Sequence, residues 1–198
     1  MTAFESDRLF AAGFSEHLEV AARTRASLGP DFARLSEAAL ACVRGGGKLL
    51  FFGNGGSASD AQHLATELTV RFISDRPSIP AIALTTDTSA LTAIGNDMGF
   101  DQLFARQVEA LGQKGDMAIG ISTSGNSGNV LHALRTARAS GLVTVGFAGR
   151  DGGRMADLCD ILLVVPSDIT AHIQEMHITL GHLLCGALEQ GLGLVEVD

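Results

Sequence analysis

Short apolar runs alternating with helical patterns predict an α/β protein: a three-layer sandwich whose parallel sheet has about five strands, with helices on both faces. Three observations carry that prediction. Apolar runs fall at 49–52, 81–84, 117–121, 142–148 and 161–165, and a dozen or more residues separate each from the next, enough for a crossover. The runs at 49–52 and 117–121 end in Gly- and Ser-rich turns that lead straight into helical patterns. With 198 residues the chain suits one domain, 1–198, and nothing in it reads as a linker.

Two helices precede the first strand. Leu9, Phe10, Phe14, Leu18 and Ala21 make a helical stripe over about 6–28, ended by Gly29 and Pro30, and Phe32, Leu35, Ala39, Leu40 and Val43 make another over about 31–44, stopped by Gly45, Gly46 and Gly47. Residues 1–46 are expected to pack as a hairpin. They carry no cluster of reactive groups and read as scaffold or subunit contact, with His17 a surface histidine. Residues 76–80 form a proline-bounded turn. The second strand ends in Thr85, Thr86, Asp87, Thr88 and Ser89, a polar run where doubly wound sheets hold ligands, or equally a helix cap by Asp87 or Thr88. Gly95, Asn96 and Asp97 are expected to break the helix that follows, and Phe100, Leu103, Phe104, Val108 and Leu111 stripe the next. Helices over about 129–140 and 171–188, and a short one near 155–159, complete the chain.

The two Gly- and Ser-rich turns are the candidate binding elements. In the first, Gly53, Asn54, Gly55, Gly56 and Ser57, glycine permits positive φ and close backbone approach, and the helix N-terminus with Ser57 offers donors to an anion. Its helix carries His63 and Glu67 at i, i+4, with Cβ atoms about 6 Å apart on one face. By itself this spacing more often marks a surface pair. The second turn, Ser122, Thr123, Ser124, Gly125, Asn126, Ser127 and Gly128, has no Lys in Walker spacing and is not a P-loop. Hydroxyls, backbone N–H groups and a helix dipole can hold a phosphate monoester with neutral donors; an ordinary N-cap needs only two hydroxyls. His132 and Arg135 on the helix behind it read as solvated.

The last helix carries an unusual polar load: Gln174, Glu175, His177 and His182. A lone histidine there is ordinarily a satisfied core residue. Gln174 and His182 lie within about 80° around the axis but about 12 Å apart along it. Meeting His63 and Glu67, they would form an N/O ligand set acceptable to Zn²⁺; the long span could equally divide them between two sites.

Composition narrows the function classes. A net charge of −8 with 5 % aromatics and neither Trp nor Tyr lacks the basic stripe and stacking platforms of nucleic-acid binders. Hydrophobic residues make up 46 % and mean hydropathy is +0.26, so some apolar surface is expected between subunits. Cys42, Cys159 and Cys185, without CxxC spacing, suit a reducing compartment, and neither a signal peptide nor a membrane-length apolar run is visible. The expected location is the cytoplasm, without membrane or nucleic-acid partners.

GNGGS with DAQHxxxE (53–67), the TTD run, AIGND (93–97), GDxxxGISTSGNS (115–127) and IQExHxxxxH (173–182) together resemble the phosphoheptose isomerases of the sugar isomerase (SIS) superfamily. The resemblance covers almost the whole chain; the STSGNS loop marks only the superfamily, and His63, Glu67, Gln174 and His182 together are more specific. It implies conversion of D-sedoheptulose 7-phosphate to D-glycero-D-manno-heptose 7-phosphate, the entry to ADP- or GDP-heptose for lipopolysaccharide or surface-layer heptose, by a homotetramer with sites between subunits. Glu67 and His182 would be catalytic. Asn54, Gly55, Gly56, Ser57, Asn96, Asp97, Ser122, Thr123, Ser124, Ser127 and Gln174 would bind substrate, with Asp97 either a sugar-hydroxyl acceptor or a turn residue. His63, Glu67, Gln174 and His182 would hold one zinc per subunit. Some members carry an acid just ahead of the glutamine; here ITAHI (169–173) has none, and Asp168 is nearest. A non-catalytic SIS protein that binds the replication initiator, or a sugar-phosphate-sensing regulator, is the alternative. The first is similar in fold but lacks the glutamate and the last-helix histidine, and the second usually adds a DNA-binding domain.

Overall fold

Five strands form one parallel sheet in the computed structural model, which describes residues 5–195. They are β1 (Leu49–Gly53), β2 (Ala81–Ala83), β3 (Met117–Ser122), β4 (Val143–Gly149) and β5 (Ile161–Val165), in the order β2-β1-β3-β4-β5. β1 lies between β2 and β3, with Leu49 opposite both Ala81 and Met117. Every residue of β1 and β3 is buried, as expected where helices cover both faces of a parallel sheet.

Among the described residues seven α-helices surround the sheet: α1 (Ser6–Ser27), α2 (Gly29–Arg44), α3 (Gly56–Thr69), α4 (Thr88–Asp97), α5 (Ala105–Leu111), α6 (Gly128–Ala139) and α7 (Thr170–Gly191). Side-chain alternation along β1 divides the core. Leu49 and Phe51 point into a cluster with α2, α3 and α7; Leu50 and Phe52 point into one with α4, α5 and α6. Phe51 and Phe52 are fully buried, each worth roughly 1.5–3 kcal/mol of hydrophobic stabilisation. α1 leaves an apolar stripe in the open, with Leu9, Phe10, Phe14 and Leu18 each more than half exposed.

Four elements differ from expectation. α2 begins at Gly29, ahead of Pro30, because proline in a helix's first turn gives up an N–H that has no intrahelical partner. Gly95, Asn96 and Asp97 do not break α4, which continues to Asp97. A side chain at Gly95 would meet nothing closer than Leu103 at 3.7 Å, and the terminator is Gly99, at φ +91 just beyond the Met98 cap. The stripe over 100–111 is two pieces, a 3₁₀ turn at Phe100–Gln102 and then α5; similarly, Gly153–Asp157 is a 3₁₀ turn where a short helix near 155–159 was expected.

Candidate active site

The connection after β1 leads to β2 on one side, and the connection after β3 leads to β4 on the other, so the order of strands reverses between them. Crevices outside the strand C-termini at such a reversal are where open α/β sheets bind ligands. Both Gly- and Ser-rich turns open here. Gly55 has φ +57, a conformation that suits glycine, and starts α3 with no side-chain cap. Ser57 is 3 % exposed and packs against Gly53, where an added Cβ would lie 2.8 Å from the Ser57 Cβ and 2.7 Å from the Ile121 carbonyl. In the second turn Ser122 Oγ and Ser127 Oγ are 2.9 Å apart. Ser127 occupies the N-cap position of α6 but makes no capping hydrogen bond. Its hydroxyl faces the other serine instead, which weighs against an ordinary cap.

A reciprocal amide pair ties the turns together. Asn54 Nδ2 donates to Asn129 Oδ1 and Asn129 Nδ2 to Asn54 Oδ1, both at 2.8 Å, while Asn129 Oδ1 also accepts the Val130 N–H. Asn129 is buried and escaped the sequence reading. The GN that opens the first turn and recurs at Gly128 was its signal.

α3 and α7 run parallel in close contact. Gly56 lies under the Gln174 amide, where an added Cβ would be 2.5 Å from Nε2, and Gly181 lies against Leu64, with no room for a side chain. This approach brings His63, Glu67 and His182 together. His63 Nε2 and His182 Nε2 are 2.8 Å apart, and Glu67 Oε1 is 3.4 Å from His63 Nε2. One imidazole donates its Nε2 proton to the other's lone pair. Burial and the neighbouring His63 push the His182 imidazole below its ordinary range, with Glu67 partly opposing, so His182 favours its neutral form. Phe72 stacks on His182, ring centroids 5.4 Å apart.

The two facing nitrogens and one carboxylate oxygen are donor types that zinc accepts. At 2.8 Å the two nitrogens stand closer than two nitrogen ligands of one zinc, so the rings would have to separate to hold it. Among the described residues, no three His, Cys, Asp or Glu groups already stand at metal-ligand spacing. Gln174, over Gly56, marks the other end of the α3–α7 contact from His182.

Other candidates stand apart. Asn96 and Asp97 are exposed at the end of α4, Asn96 Nδ2 donating to Asp97 Oδ1 at 2.7 Å, and α4 packs on the opposite face of the sheet from α3 and α7. Asp87 caps α4 by accepting the Ala90 N–H at 3.0 Å, which settles the polar run after β2 in favour of capping at that residue. Asp168 is exposed in the turn before α7. His17 is half-exposed but paired, its Nδ1 2.9 Å from Glu175 Oε2, and His132 is half-buried beside Gln102 rather than free in solvent.

His177 is a core histidine. Its Nε2 donates to the Ala148 carbonyl at 3.0 Å, and burial lowers it to about 4. Asp60, inside the DAQH motif, was not singled out from sequence. It shares the α3 face of His63 and Glu67, its Oδ2 is buried without a hydrogen-bond partner, and burial raises it to about 6, with His63 opposing.

Residues 14–149 match the SIS domain family. The phosphoheptose isomerase of Paramagnetospirillum magneticum is 58 % identical over 175 residues, which is 88 % of this chain and 91 % of that protein. The solved phosphoheptose isomerase of Neisseria gonorrhoeae is 44 % identical with a TM-score of 0.89, and that of Francisella tularensis is 38 % identical with a TM-score of 0.91; each match covers 94 % of this chain and 100 % of the other. With identity at this level over nearly the whole of each relative, the chain belongs to the phosphoheptose isomerases, within the SIS domain family.

Proposed function

We propose that the chain converts D-sedoheptulose 7-phosphate to D-glycero-D-manno-heptose 7-phosphate through an enediol(ate), the first step toward ADP- or GDP-heptose and so toward lipopolysaccharide or surface-layer heptose. The observation that carries this reading is the meeting of Glu67 and His182 at His63, beside two hydroxyl-lined turns at the sheet's reversal point. Glu67 takes the C1 proton of the open-chain ketose and returns a proton to C2. His182, neutral and hydrogen-bonded, protonates the C2 oxygen and accepts the proton that leaves the C1 hydroxyl. Together they supply the acid and base that an aldose–ketose exchange requires.

Ser57, Ser122, Thr123, Ser124 and Ser127, with the N–H groups of Asn54, Gly55 and Gly56, hold the phosphate. Binding energy spent there orients the distant reacting carbons. His63, Glu67, Gln174 and His182 would hold one zinc per subunit, which when bound would polarise the carbonyl as a Lewis acid. Since Gln174 and His182 mark opposite ends of the α3–α7 contact, a second subunit supplying Gln174 would complete that set, and the exposed apolar stripe on α1 supports contact between subunits; the assembly proposed is a homotetramer, and its place the cytoplasm. Asn96 and Asp97 contact the sugar only if a neighbouring subunit is placed against α4.

Sedoheptulose 7-phosphate incubated in deuterated water with the purified chain is expected to gain carbon-bound deuterium at the exchanging position. Bound but unexchanged substrate would reduce the chain to a ligand-binding fold. Metal content measured on the same preparation tests the zinc assignment, and sedimentation tests the tetramer.

A further inference from the structure

Where α3 ends, Arg76 and Glu189 form an ion pair whose side chains are 0 % and 1 % exposed, with Nε to Oε1 at 2.8 Å. Arg76 spends its remaining nitrogens on backbone. Nη2 donates to the Glu67 carbonyl at 2.7 Å, and Nη1 to those of Leu68 at 2.6 Å and Pro77 at 3.1 Å. Glu67 and Leu68 lie in the last turn of α3, whose carbonyls lack partners inside the helix and carry the negative end of its dipole. Glu189, on α7, accepts the Phe72 N–H at 3.2 Å, and Phe72 is the ring stacked on His182.

A buried ion pair contributes little stability beyond an apolar pair of similar volume, because desolvating two charges offsets their attraction. Apolar side chains cannot hold three carbonyls and an amide at fixed positions; a guanidinium fork and a carboxylate can. We propose that Arg76 and Glu189 are positioning residues that set the separation of the Glu67 carboxylate and the His182 imidazole, one through the end of α3 and the other through Phe72. The inference rests on Glu67 and His182 as base and acid.

The test is steady-state kinetics on the full chain with sedoheptulose 7-phosphate, with folding followed by circular dichroism and thermal unfolding. The double variant Arg76→Met/Glu189→Leu removes both charges, so neither is left buried alone. It is expected to fold with a lowered melting temperature, because the carbonyls and the Phe72 N–H lose their partners, and to lose kcat tenfold or more with KM within threefold. Glu189→Gln keeps an acceptor for Phe72 and Arg76 and should restore kcat to within threefold of the parent. Arg76→Lys, with its charge but no fork, falls between. Phe72→Leu is expected to lower kcat about threefold at an unchanged melting temperature, a reading that does not depend on the double variant folding. Parental kcat in a folded double variant overturns the proposal, as does a loss of activity that only tracks the folded fraction, or parental kcat in Phe72→Leu where the double variant does not fold. Glu67→Gln is run alongside. Turnover in that variant would remove the base assignment itself, whereas an inactive Glu67→Gln beside a normal double variant removes only the positioning role.

Discussion

The turn after β3 leads into a helix that buries Asn129, Val130, Leu131, Ala133, Leu134 and Ala137, whereas the turn after β1 leads into one that carries Asp60, His63 and Glu67 along a single face. The turns are chemically alike, and their helices are not. Holding a phosphate needs only backbone donors and hydroxyls, so α6 is free to pack as core. On the proposed assignment the proton is moved by Glu67 and His182, and α3 and α7 bring them together because α7 lies flush against α3 at Gly56 and Gly181.

Substitutions on the two helices should separate these roles. Glu67→Gln is expected to lower kcat by 10²- to 10⁴-fold while leaving KM within a few-fold, the range for losing a general base; near-normal turnover in a stopped assay would remove Glu67 from the chemistry. Next comes acid stability, which His177 ties to α7. Its folded imidazole resists a proton down to about pH 4, while the unfolded one accepts it near 6.5. The stability present above pH 6.5 should therefore decline as pH falls toward 4, by up to about 3 kcal/mol, and His177→Leu should flatten that part of the profile in denaturant titrations.

Gly181→Ala presses a methyl group into Leu64 and should cost about 1–3 kcal/mol in thermal unfolding, relieved by Leu64→Ala in the same chain. On the other helix, Ser127→Ala should lower kcat/KM about tenfold with most of the change in KM, unlike Glu67→Gln, whose loss falls on kcat. If both variants lose kcat alone, the division between the two helices fails. The smallest effect belongs to the third polar run. Asp87→Ala should lower stability by about 1 kcal/mol through loss of the α4 cap and leave both kinetic constants unchanged.

Strand positions, the two turns and the His63–Glu67 spacing were legible because each is a local pattern of period or turn chemistry. The end of α4 was misplaced because Gly95 looks like a terminator until its open surroundings are seen, while Gly99 supplies the positive φ. Asn129 and Asp60 were hidden for a different reason: one acts through a partner 75 residues away, and the other is notable for a missing partner. The pairing of Arg76 with Glu189, 113 residues apart, leaves no trace in any window of sequence. Convergence of His63 with His182 followed from the family resemblance; helix spacing alone left it open.

The parallel course of α3 and α7 also makes the groove between them a gauge of length. His63, whose imidazole the Glu67 carboxylate reaches at 3.4 Å, stands seven positions along α3 from Gly56 at the anion end, a rise of about 10 Å. On the proposed assignment, a sugar phosphate anchored at the first turn must be long enough for its carbonyl end to reach Glu67. A shorter chain sits in the same anion seat with its reactive carbons stranded, so size selection follows from helix rise without any residue that clashes with the wrong sugar.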